Sequence, residues 1–343
     1  MAEIVVSVII PTFNRCSVLA ETLRHLAAQS VPVAWEVIVV NNRCTDDTDM
    51  VVTSLVAGFG CPLTVVHEDR PGAAAARNRG VRSARGDLLV LLDDDIYVGA
   101  GQIERAVADH RAQPISWFVA QIVPLPEHGA APFARFRAAV TDLPPQLDTM
   151  AEVETFASGF AVVPRSSLLA VGGYNEDYTV AALEDADLYI RARHHGMRVF
   201  YDPKLVGTHN DWAGTTLRDF CLRQRVYCRT APLLAQRFGH EAHPWSALIT
   251  ANSPPRLGSD GTRDIVRKGF KSLLSHKVPM TAMFRAADYL ERTGLTPTGL
   301  SPTGLKERVL WSVYRSAIAA SMYGGYGEGL AALSRRAQPP QSA

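Results

Sequence analysis

The chain has 343 residues, 47% of them hydrophobic and 20% charged, with a formal net charge of +1. Such proportions belong to a globular protein, and a chain this long is expected to form one large domain plus an extension. No apolar stretch approaches the length of a bilayer span, no nucleic-acid partner is expected, and five cysteines without a CxxC pair read as free thiols in a reducing compartment.

In chain order, residues 4–10 form an apolar, β-branched run without a basic flank or a small-residue cleavage site, so they read as a strand and not as a signal peptide. Pro11, Thr12, Phe13, Asn14 and Arg15 break it. Residues 18–29 have helical spacing, with Leu19, Leu23 and Leu26 on one stripe. Residues 35–40 are a second strand, and 45–55 a helix with Thr45 as its N-cap. Strand 63–67, helix 73–84 and strand 88–92 follow. Alternation of this kind predicts a mostly parallel α/β sheet with helices on both faces, and ligands bind outside the carboxyl ends of such strands.

Further along, the proline-rich stretch 124–146 reads as an insertion or mobile loop, and 156–163 as a strand followed by a turn at Gly172, Gly173 and Tyr174. The spacing predicts a helix over 183–196, short strands at 198–201 and 205–209, and one helix over 217–238. Beyond Pro254 the pattern is helical and basic, with an amphipathic stretch at 307–322. A five-residue unit repeated across 293–302 reads as a linker, and the tail 336–343 as disordered. The expected division is a catalytic domain over 1–212, with a nucleotide half at 1–100 and an acceptor half at 101–212, then a helical extension over 213–335.

Asp93, Asp94 and Asp95 stand directly behind the apolar run 88–92. Like charges at this spacing raise one another's pKa, so three carboxylates there call for a counter-charge. Magnesium or manganese, with substrate phosphates completing the shell, would supply it. An acidic turn opening a helix is the plainer alternative. The polar clusters 12–14 and 41–43 lie at other strand ends of the same edge, which favours a binding site.

Charge is unevenly spread. From Pro254 onward there are 13 Lys/Arg against 6 Asp/Glu. A surface of that sign can face anionic lipid, a phosphorylated acceptor, an acidic partner or a second copy of the chain, or it can simply be a solvated face.

The runs VSVIIPTFNR, EVIVVNNRCTDDT, GAAAARNRGVRSARGDLLVLLDDD, GGYNED and LEDADLYIRARHHG, in that order over roughly residues 4–210, resemble the family 2 glycosyltransferases of the GT-A fold. The resemblance implies a Rossmann-like, mixed but mostly parallel sheet and inverting transfer of a sugar from a nucleoside diphosphate donor. By the same resemblance Pro11, Thr12 and Phe13 hold base and ribose, Arg77 lies near base and diphosphate, and Asp93 serves the ribose or a metal-bound water, with Asp94 able to exchange roles with Asp93 or Asp95. Asp95 binds Mn2+ or Mg2+, with Asp93 and His209 as further metal ligands, and Asp185, or else Glu184, is the catalytic base. Ser158 and Gly159 floor the acceptor pocket, and Trp212 stacks on sugar or aglycone. Asn42 stands where this family usually has an aspartate that reads uracil. Its amide oxygen can still accept the N–H, so UDP comes first as donor, dTDP next, and GDP is disfavoured.

Expected acceptors are a small molecule, saccharide, peptide or lipid-linked group. The expected location is the cytoplasm or, through the basic C-terminal part, the inner membrane face. Glycoside hydrolysis would need two opposed carboxylates and no metal. A sugar nucleotidyltransferase would carry a Gly-rich first loop, and a DxDxT phosphatase a threonine where Tyr97 stands. A non-catalytic scaffold of the same fold would be expected to have lost the acidic positions that this chain keeps.

Overall fold

The computed structural model describes residues 3–125, 132–140 (side chains to 137), 147–210, 216–293, 302 and 304–336. The chain divides into two units, Met1–Leu125 with Leu143–Asp211, and Pro126–Asp142 with Trp212–Ala343.

The first unit is built on β1 (Val6–Thr12), α1 (Cys16–Ala27), β2 (Trp35–Asn41), α2 (Thr48–Leu55), β3 (Leu63–His67), α3 (Ala73–Ser83) and β4 (Leu88–Leu92). After these come β5 (Ile96–Val98), α4 (Gln102–Ala112), β6 (Trp117–Pro124), β7 (Ala151–Glu152), β8 (Phe160–Pro164), α6 (Arg165–Ala170), α7 (Glu184–His194) and β9 (Val199–His209), with α5 (Pro132–Val140) belonging to the second unit. The sheet order is β3-β2-β1-β4-β8-β6-β9-β5, with β7 on β9. β3, β2, β1 and β4 run parallel, as do β6 and β9, while β8 runs antiparallel to both of its neighbours. Every residue of β2 and β4 is buried, as strands covered on both faces must be.

The crossovers leave β1 toward β2 on one side and β4 on the other. A crevice therefore opens at the carboxyl ends of β1 and β4, where Thr12 and residues 93–95 meet. Close packing of α3 on β1 depends on Gly80, where a Cβ would collide with Ile9 Cγ2.

Several boundaries differ from the sequence expectations. α2 begins at Thr48 because the preceding loop is committed elsewhere: Asn14 Oδ1 accepts from the Thr45 amide (2.7 Å), and Asp46 accepts from the Cys16 amide (2.9 Å) and the Thr48 hydroxyl (2.5 Å). β9 is one strand, not two; its register against β6 shifts between Ala120 and Gln121, which carries the Asp202-Pro203-Lys204 interruption as a bulge. The stretch 124–146 contributes a helix, α5, in place of the expected loop.

In the second unit, α5 is joined by α8 (Leu217–Arg229), α9 (Ala231–Phe238), α10 (Ser246–Asn252), α11 (Thr262–Leu274), α12 (Lys277–Arg292) and α13 (Leu305–Arg336). The expected single helix over 217–238 breaks at Thr230, with Pro232 in the first turn of α9, where a missing N–H costs nothing. Phe133, Phe136, Leu217, Met280, Trp311 and Tyr314 form its core. On α13, Ser321, Gly325 and Gly329 recur every fourth residue and are buried. A Cβ on Gly325 or Gly329 would collide with the Arg225 or Arg229 carbonyl of α8, so the two backbones touch there. Glu328 fixes the same contact by accepting from Arg225 Nε (2.6 Å) and Arg229 Nε (3.0 Å).

Among the described residues no helix is long and apolar enough to cross a membrane. Trp212, most of the repeated unit at 293–302 and the tail from 337 lie outside the described residues.

Candidate active site

The three consecutive aspartates take three separate environments. Asp94 is buried; its Oδ2 accepts from the Thr12 hydroxyl (2.6 Å) and its Oδ1 faces Arg15 Nη1 (3.1 Å). Burial outweighs both and pushes its carboxyl up to about 7. Asp95 Oδ2 accepts from Arg15 Nη2 (2.8 Å) and lies 3.2 Å from His209 Nε2. Burial alone would raise Asp95 as well, but His209 and Arg15 prevail and hold it at about 2. Asp93, the most exposed of the three, turns away to Arg77, with 2.8 Å between Oδ1 and Nη2. The three carboxylates thus split between two arginines, which offset part of the repulsion that Asp95 and Asp93 still exert on Asp94. Sequence reasoning gave Arg15 no role, because its partners lie about eighty residues away along the chain.

Arg77 is fully enclosed. Besides Asp93 it donates to Glu184 Oε1 (2.9 Å), and its guanidinium lies 5.5 Å from the centre of the Tyr174 ring. Burial opposes its charge, but Asp93 and then Asp185 override that and raise its pKa. Glu184, at the start of α7, spends its other oxygen on the Ala182 amide (2.6 Å). Asp185 points elsewhere, as one helical step requires. Its Oδ2 accepts from the Ser158 amide (3.0 Å) and its Oδ1 from the Ser158 hydroxyl (2.6 Å). Asp185 keeps partial access to solvent, yet the protein packed around it pushes its carboxyl up to about 7 against the pull of Arg77. Gly159 brings this segment to the aspartates: its carbonyl accepts from the Asp93 amide (2.8 Å).

At the end of β2 both asparagines act on backbone. Asn41 Oδ1 accepts from the Cys44 amide (2.7 Å), and its Nδ2 donates to Asp49 (2.7 Å). Asn42 Nδ2 donates to the carbonyls of Glu68 (2.9 Å) and Arg70 (2.7 Å), while its Oδ1 accepts from the Gly72 amide (3.0 Å). Asn42 therefore clips the 68–72 loop to β2. Its backbone N–H donates to the Thr12 carbonyl (3.0 Å). Pro11 is half-buried at the end of β1, and Phe13 stands beyond it 59% exposed, free to receive a planar group.

Among the described residues no group of three or more His, Cys, Asp or Glu is arranged to hold a metal by itself. Asp95 and His209 are brought together, whereas Asp93 is not. One carboxylate and one imidazole suit a divalent ion that takes its remaining ligands from substrate phosphates. Arg15, about a third exposed, holds the same Asp95 oxygen.

Residues 7–137 match the family model described as Glycosyl transferase family 2, and residues 143–211 match that of the N-terminal domain of galactosyltransferase. The Pre-mycofactocin glycosyltransferase of Mycobacterium tuberculosis (strain ATCC 25618 / H37Rv) is 32% identical over 248 residues, covering 70% of this chain and 49% of that protein. The chain thus spans about half the length of that relative. Among solved structures, the mannosyltransferase PcManGT from Pyrobaculum calidifontis, in complex with GDP-Man and Mn2+, aligns with TM-score 0.57 and 18% identity over 94% of this chain and 87% of that one. S. aureus TarS 1-349 in complex with UDP aligns with TM-score 0.50 and 18% identity over 98% and 93%. At such identities these structures speak for the fold, a mixed α/β sheet of the GT-A kind.

Proposed function

We propose that this chain, whose residues 7–137 belong to glycosyl transferase family 2, moves a sugar from a nucleoside diphosphate sugar to an acceptor hydroxyl. The observation that carries this reading is the pairing of two carboxylate groups through one enclosed arginine. Asp93 and Glu184 both bind Arg77, which leaves Asp185 with a carboxyl raised to about 7 on one side and Asp95 with His209 on the other. A base that titrates near neutrality suits proton removal from a hydroxyl.

In the proposed reaction Asp185 takes the acceptor proton as the acceptor oxygen attacks the anomeric carbon. The bond from that carbon to the diphosphate oxygen breaks, the nucleoside diphosphate leaves, and the configuration inverts. Ser158 fixes the orientation of Asp185 through both of its oxygens. Thr12 and Asp94 face the ribose, and Phe13 covers the base. Mn2+ or Mg2+ held by Asp95 and His209 would supply charge neutralisation for the departing diphosphate. Arg15, about a third exposed, would give up the Asp95 oxygen to such an ion. UDP is the donor placed first and dTDP next. Since the neighbouring structures hold GDP-Man in one case and UDP in the other, the base is a point for experiment.

Thermal unfolding with UDP, dTDP and GDP, each with and without Mn2+, tests the reading. A cognate nucleotide at a hundred times its Kd stabilises by about 2.7 kcal/mol. The expected result is a metal-dependent rise for one nucleotide and slow hydrolysis of its sugar conjugate, both lost in Asp95→Ala. Stabilisation without any turnover would favour a sugar-nucleotide-binding scaffold instead.

A further inference from the structure

α11 packs Leu274 on the core of its unit, yet it buries a lysine and exposes an apolar stripe. Its fully buried residue is Lys268, whose Nζ lies 2.8 Å from Asp260 Oδ2 and 3.2 Å from Ser253 Oγ. Its outward stripe is apolar: Val266, Phe270 and Leu273, at helical spacing, are 66%, 59% and 61% exposed. A helix on the surface of a globular unit normally turns its apolar stripe inward. Beside the stripe lies a groove of about 410 Å³ walled by Phe270, Leu274, Met283, Val309 and Val313, with Arg308 among them.

Cations border the apolar stripe on one side. Arg263 and Arg267 are exposed, one turn before Val266 and Phe270 respectively. The second unit as a whole carries 20 Lys/Arg against 10 Asp/Glu. Arg267 also pairs with Asp264 (3.0 Å). An apolar stripe beside arginines matches the interface of an anionic bilayer, where the rings and branched chains enter the acyl boundary and the guanidinium groups meet the headgroups. We propose that the outer face of α11 docks on an anionic lipid surface, with Val266, Phe270 and Leu273 inserted and Arg263 and Arg267 at headgroup level. Lys268 stays inside as the ion-paired anchor that fixes this rotation of the helix.

The test is sedimentation of the full chain with phosphatidylcholine vesicles, with and without about 30 mol% phosphatidylglycerol. Binding to the anionic vesicles should exceed binding to neutral ones at least about tenfold and fall as salt is raised. Val266→Ser, Phe270→Ser and Leu273→Ser together should lower it at least about tenfold, since each removes apolar area that enters the lipid. Arg263→Glu with Arg267→Glu should do so while the apolar stripe remains. All five positions are exposed, so thermal unfolding of the variants should match the parent. Equal pelleting of parent and triple variant, or none in the parent, overturns the proposal. So does light scattering that shows a dimer which the triple variant dissolves, because the face would then be covered by a second copy.

Discussion

Near neutrality the Asp185 carboxyl can hold or release a proton, because burial has raised it to about 7. As a base it works only ionised, so kcat should rise with pH through about 7 and level off above. Asp185→Asn should lower kcat by about 10²–10⁴-fold while nucleotide-induced stabilisation persists, which separates chemistry from binding. A flat pH profile, or an Asn variant of full activity, would remove Asp185 from the role. Arg77 is a different kind of residue. Arg77→Ala would leave Asp93 and Glu184 facing each other with no cation between them, at a cost of about 3–5 kcal/mol read from the denaturation midpoint. Asn42 is buried and has a narrow tolerance. An aspartate there would set a carboxylate against the two carbonyls that the amide now serves.

At the scale of elements, the contact between α8 and α13 rests on missing side chains. Gly325→Ala should push the two helices apart and destabilise the second unit by about 1–3 kcal/mol, seen as a lower Tm, whereas a change at Gly327, where nothing lies near, should do little. The strands β1 to β4 were legible in the sequence because each is an apolar run with polar residues at its carboxyl end. Asp95 and His209 were legible as partners because the order of the motifs resembles a known family. β9 was not legible as one strand, since Asp202-Pro203-Lys204 interrupts the apolar pattern and only pairing with β6 carries the chain across. α5 was hidden among prolines, and its two phenylalanines gain their meaning from a core supplied by helices that come much later in the chain. The bonds of Arg15, and those from Asn42 to the 68–72 loop, depend on tertiary placement that no local spacing encodes.

For the whole molecule, a net charge of +1 conceals two units of opposite sign: 15 Lys/Arg against 24 Asp/Glu in the first, and 20 against 10 in the second. With a sequence pI near 7.7, the average charge at about pH 8.5 is negative. The basic unit should still retain the chain on a cation exchanger at low salt; passage straight through the column would contradict that. The sheet also sets an order of assembly. Asp95 and His209 are 114 residues apart, and β9, which delivers His209, pairs with β5, β6 and β7 just before the first unit ends. On the ribosome, then, the loops at the carboxyl ends of β1, β2 and β4 are complete long before the strand that carries His209 has emerged. A nascent chain stalled before residue 209 would present its acidic run without the imidazole that meets Asp95 in the folded unit.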